Sequence, residues 1–90
     1  MEDMYYVYLL KSVKTQKLYI GYTANLRKRF AEHNRGMSKA TKPYIPFELA
    51  YYEACLSKTD ARKREMQLKG FKQVYTRLKE RIINSIAGQN

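Results

Sequence analysis

Tyr5-Tyr6-Val7-Tyr8-Leu9-Leu10, the polar interval Ser12 to Gln16, and Leu18-Tyr19-Ile20-Gly21-Tyr22 decide how this chain folds. The first run is aromatic or aliphatic at both alternating sets of positions, which predicts a central strand covered on both faces. The interval has hairpin length, so the second run is expected to pair with the first. Side chains alternate with period two along a strand. Tyr8 and Tyr19 therefore share a face in one register and part company after a slip of one residue.

Moving outward, Thr23 is a plausible N-cap for a helix from Thr23 to Asn34. Leu26, Phe30 and His33 recur at i, i+4 and i+7, and Gly36 supplies a stop. Arg29 falls on that inner face, a costly position without a partner or an anionic ligand, while Arg27, Lys28, Glu32 and Arg35 are expected to point elsewhere. Residues 37–46 read as an exposed loop. Phe47 to Glu53 reads as a third strand with Phe47, Leu49 and Tyr51 on its cleaner apolar face, and with Glu48 and Glu53 toward solvent. Ser57 and Thr59 offer caps to a helix running to about Lys69, with Asp60 near its positive end and Gly70 as breaker. From Phe71 on, Val74, Tyr75, Leu78, Ile82 and Ile86 form one helical stripe.

These elements predict an α/β (α+β) fold of order β-β-α-β-α-α, a three-stranded, mainly antiparallel sheet flanked by helices. At 90 residues the chain 1–90 is expected to form one domain, since so short a chain cannot build two separate cores. Lys and Arg number 18 against 8 Asp and Glu, and the net charge of +10 attracts polyanions, nucleic acid first. Cys55 is alone, which excludes a disulfide framework or a cysteine-based zinc site within the chain and fits a packing role in a reducing cytoplasm. Met1-Glu2-Asp3-Met4 lacks the basic start of a secretion signal, and Tyr5 to Leu10 is too short to span a bilayer, so no membrane association is expected.

Among the acids, Glu65 alone shares an inward helical stripe, with Ala61 and Leu68. Magnesium takes one or two carboxylates and draws its other ligands from water and phosphate, so a single inward Glu suffices. A plainer alternative is an i,i+4 ion pair from Glu65 to Lys69. Tyr8 and Tyr19 taken singly read as core packing, and Arg29 with His33, one helical turn apart, as a structural pair. The functional case rests on the five together.

Their arrangement is informative. Tyr6-Val7-Tyr8, then Tyr19-Ile20-Gly21, Arg29 eight residues after Gly21, His33 four further on and a helical Glu65 downstream closely resemble the GIY-YIG nuclease domain. The resemblance extends from about Tyr5 to Phe71, and the length is similar to that of small stand-alone bacterial members. It implies a Mg²⁺-dependent endonuclease, with Mn²⁺ as a substitute, that hydrolyses DNA phosphodiesters using one metal ion. By the same resemblance Tyr19 is the general base or its relay, and Tyr8 supports it by hydrogen bonding to water on the ion. Arg29 stabilises charge on the phosphate, Glu65 binds the metal, and His33 assists proton transfer or holds a phosphate. Tyr6 stands where the family name has its first glycine. Lys39, Lys42, Arg62, Lys63, Lys69 and Lys72 are candidate contacts to the nucleic-acid backbone. The rival expectation is a non-catalytic nucleic-acid-binding module on the same scaffold.

Overall fold

A computed structural model describes residues 3–87. The chain runs β1 (Tyr5–Ser12), β2 (Leu18–Thr23), α1 (Leu26–Asn34), a 3-10 turn (Lys42–Tyr44), β3 (Phe47–Cys55), α2 (Lys58–Gly70), α3 (Lys72–Arg81) and α4 (Ile83–Ala87). The sheet is antiparallel with strand order β2-β1-β3. The aromatic run is thus the central strand, and both its faces are covered. On one face Val7, Leu9 and Ile20 pack against Ala61 and Leu68 of α2 and Leu78 of α3. On the other, Tyr8, Leu10 and Phe47 pack with Tyr19 and with Leu26 and Phe30 of α1.

The hairpin pairs Tyr8 with Gly21 and Leu10 with Tyr19. Residues opposite one another project to the same side, so Tyr8 and Tyr19 share the face covered by α1. The turn is fastened by Ser12, whose amide donates to Lys17 O at 2.8 Å and whose hydroxyl donates to Tyr44 O at 2.6 Å. That second bond joins the hairpin to the long loop.

β3 departs from simple alternation. Leu9 faces Tyr51 but Leu10 faces Leu49, which leaves Ala50 as an extra residue. This bulge shifts the parity of the strand. Phe47 and Leu49 pack with Tyr8 and Leu10, whereas Tyr51 packs on the opposite face, which corrects the expectation that all three share one side. Glu53 is also not simply solvent-facing. Arg64 of α2 grips it through Nε at 3.0 Å and Nη2 at 2.8 Å, and the Tyr51 hydroxyl donates to it at 3.0 Å. This fork fastens α2, and with it Glu65, to the sheet.

The start of α1 is corrected as well. Thr23 ends β2, and Asn25 is the cap, with extended backbone and Oδ1 accepting from Lys28 N at 3.1 Å. Thr23 Oγ1 accepts from Asn25 N at 3.1 Å and shapes the bend before it. Ser57 caps α2 as expected, accepting from Asp60 N at 3.3 Å. The single C-terminal helix divides into α3 and α4 at Ile82, whose backbone leaves helical geometry, yet Ile82 and Ile86 both reach the core. Cys55 ends β3 and packs against that core. Among the described residues no helix is long and apolar enough to cross a membrane.

Residues 35–46 are held at both ends. Asn34 Nδ2 donates to Phe47 O at 3.1 Å while Phe47 N donates to Asn34 Oδ1 at 2.7 Å. This reciprocal clamp folds the loop back, so the loop is not exposed throughout: Thr41 is buried.

Candidate active site

Tyr8 and Tyr19 stand side by side on the α1 face with ring centroids 6.5 Å apart. His33, fully buried, meets both rings edge-on at 5.8 Å and 5.2 Å. The i+7 spacing from Leu26 turns it to the sheet. Its Nε2 lies 2.9 Å from Tyr8 Oη, and its Nδ1 lies 2.8 Å from Thr41 Oγ1. Thr41 can donate onward to Ser38 O at 3.5 Å. One proton arrangement satisfies all three groups. Thr41 donates to the carbonyl, His33 Nδ1–H donates to Thr41, and the Tyr8 hydroxyl donates to His33 Nε2.

Burial, reinforced by the charge of Arg29, pushes His33 below its usual range, so the imidazole is neutral at pH 7. Both ring nitrogens are engaged inside the protein, by Tyr8 Oη and Thr41 Oγ1. Burial also pushes Tyr8 up to about 12, an effect the charges of Tyr19 and Glu65 add to and Arg29 opposes. Tyr8 therefore keeps its proton at neutral pH. Its ring lies across Gly21: a Cβ there would fall on Tyr8 Oη and Cζ and come within 2.8 Å of Cε1.

Arg29 is two-thirds buried, and its Nη1 bonds Glu32 Oε1 at 3.1 Å. Burial works against its charge, but the bonds to Glu32 and the approach to Tyr8 outweigh that and raise the guanidinium further. The approach to Tyr8 falls short of hydrogen-bond geometry among the described contacts; the well-formed bond is to Glu32. Glu32 thus does not point away from the site, as its place in the helical pattern suggested. It is the partner that makes Arg29 tolerable there.

Glu65 belongs to α2, which packs on β1 and β2 from the other face of the sheet, yet its carboxylate is close enough for its charge to oppose ionisation of Tyr8. Its side chain is 19% exposed, and Lys69 Nζ lies 3.0 Å from Oε2, the i,i+4 pair weighed from the sequence. Lys69 Nζ is also 5.9 Å from the centre of the Tyr19 ring. Of the other candidate backbone contacts, Lys39 and Lys42 flank Ala40 and Thr41, which with Tyr19 line a hollow of about 170 Å³. Arg62 lies over Tyr22 at 5.2 Å, and Tyr22 belongs to the opposite face of the sheet from the two phenols. Lys63 and Lys72 are exposed on α2 and α3.

Thr41 is the site residue that sequence reasoning missed. A threonine in a polar loop carries no local signal, because its bond to His33 exists only once the Asn34–Phe47 clamp has turned the loop inward. Among the described residues, no three His, Cys, Asp or Glu side chains converge as a ready-made metal cage. A lone carboxylate fits magnesium, whose remaining ligands are water and phosphate, better than a structural zinc site.

The model of the GIY-YIG catalytic domain family matches residues 4–79. A UPF0213 protein of Staphylococcus haemolyticus is 44% identical over 68 residues, covering 74% of this chain and 82% of that protein. One from Clostridium perfringens is 43% identical over 67 residues, covering 73% and 71%. Another, from Natronomonas pharaonis, is 38% identical over 85 residues, covering 93% and 95%. No solved structure matches the chain significantly.

Proposed function

This chain belongs to the GIY-YIG family of nucleases, and from that premise we propose that it is a Mg²⁺-dependent endonuclease that hydrolyses DNA phosphodiester bonds. The observation that carries the reading is the proximity of Tyr8, Tyr19, His33, Arg29 and Glu65, drawn from four separate elements. Tyr19 acts as base or relay: its oxygen takes the proton of the attacking water as its own phenolic proton passes to bulk solvent, with the cationic Lys69 beside its ring. Tyr8 holds its own proton toward His33 and offers its oxygen lone pairs to orient that water. His33 and Thr41 act behind it, fixing the direction of the phenol. Arg29 faces the charge that builds on the phosphate oxygens. Glu65 would hold the divalent ion, which when bound polarises the phosphate and neutralises the leaving oxygen. The Glu65–Lys69 pair is no obstacle, because a partly exposed ion pair of this kind is worth only about 0.3–0.5 kcal/mol. Lys69 is then free to meet a backbone phosphate.

The test is cleavage of branched, flapped and single-stranded DNA with Mg²⁺ or Mn²⁺. Tyr19→Phe is expected to lower the rate roughly 10²–10⁴-fold, the range for a lost general base, and Glu65→Ala to abolish the metal-dependent cleavage. Unchanged activity in both removes the assignment. The rival reading is a binding module without catalysis on the same basic scaffold. Salt-sensitive DNA binding with no cleavage of any substrate would establish it.

A further inference from the structure

Beside the phenol pair lies an aromatic hollow that the proposed chemistry does not use. Tyr6 is two residues from Tyr8 on the same face of β1, and Tyr52 is directly opposite Tyr8 on β3. Their rings meet at 5.9 Å with a tilt of 59°. Together with Leu49 and Phe30 below and Asn25 and Arg27 at the rim they line an open hollow of about 530 Å³. Tyr52 is 51% exposed, although it projects from the middle of a strand beside a packed core.

We propose that this hollow seats one unpaired nucleobase of the nucleic-acid strand whose phosphate lies at Tyr8 and Tyr19. The proposal rests on the nuclease reading and deepens it. Two residues along a strand span about 6.6 Å, which is within the reach of a single nucleotide from phosphate to base. The ring faces supply stacking, which accepts any base because every base has a π-face, and Arg27 supplies a cation at the rim. A base inside a duplex has both faces covered by its neighbours. The shelf therefore takes a base that is single-stranded, flapped or extruded from a helix. The bulge at Ala50 is what makes it: without that extra residue, Tyr52 would project to the other face of the sheet.

The experiment measures 2-aminopurine fluorescence in a short single-stranded DNA with EDTA present, so that cleavage cannot intervene. Wild type quenches the probe by stacking. Tyr52→Leu keeps apolar bulk on the strand but removes the ring. It is expected to abolish the quench and weaken single-strand affinity roughly 5- to 150-fold, the range for one lost base stack, with duplex affinity and melting temperature unchanged. Tyr52→Phe keeps the ring and is expected to keep the quench. The proposal is overturned if Tyr52→Leu quenches like wild type, if Tyr52→Phe loses the quench, or if duplex affinity falls equally. It is also overturned if Tyr52→Leu alters only self-association in sedimentation. Quenching by a protein that cuts nothing would refute the nuclease assignment and leave the shelf standing. Failure of wild type to bind any nucleic acid would remove both.

Discussion

Replacing Gly21 with alanine tests the geometry at the centre of the site. The backbone there does not require glycine, since Gly36 is the glycine with positive φ among those described. The constraint is steric: an added Cβ lands on the Tyr8 ring, which is 2% exposed and tied to His33. In a strand, alanine would otherwise be favoured over glycine by about 0.5–1 kcal/mol. Against that, overpacking costs about 1–3 kcal/mol, and pushing Tyr8 off His33 leaves buried polar groups unpaired at about 1–3 kcal/mol. The net expectation is a loss of about 1–5 kcal/mol, or a fall in melting temperature of about 4 °C or more. Urea denaturation followed by circular dichroism measures it, and a double-mutant cycle with Tyr8→Leu isolates the cause. In the Tyr8→Leu background, Gly21→Ala is expected to be neutral or stabilising. An equal cost in both backgrounds would refute the clash.

Three further outcomes follow from the same geometry. The folded-state pKa of His33 lies below the unfolded value of 6.5, so the unfolded chain takes up the proton first as pH falls. Stability is therefore full above about pH 6.5 and declines below it by no more than about 1.4 kcal/mol per pH unit for this group. His33→Gln should lose that component, and identical pH slopes for the two proteins between pH 6.5 and 5 would contradict it. Tyr8 behaves in the opposite sense: its pKa is raised from 10.0 to about 12, so its stabilisation is complete below pH 10 and fades between pH 10 and 12. Roughly 2–3 kcal/mol is at stake, read as the difference between wild type and Tyr8→Phe in alkaline urea titrations. Arg64→Lys keeps the charge but cannot form the two-pronged bond to Glu53. A loss of about 1 kcal/mol is expected for this partly exposed pair, and an unchanged urea midpoint would show the fork to be inert.

Much of this arrangement was legible in the chain because it is periodic. The unbroken apolar run of β1 required cover on both faces, period two placed Tyr8 with Tyr19 once the hairpin closed, and the i, i+4, i+7 spacing turned His33 inward. The Ala61, Glu65, Leu68 stripe likewise set Glu65 toward the interior side of α2, and its side chain is four-fifths buried. Each of these is a property of a single element or of two elements joined by a short turn. Tertiary structure decided the rest. The bulge at Ala50 reversed the facing of Tyr51 and Tyr52, Glu32 became the partner of Arg29, Glu53 the anchor of Arg64, and Thr41 the support of His33. Nothing in residue spacing announces these. A pattern of hydrophobicity records which side of an element is dry, whereas the pairing of polar groups depends on where elements distant in sequence come within about 3 Å of one another, and that is set only when the whole core packs.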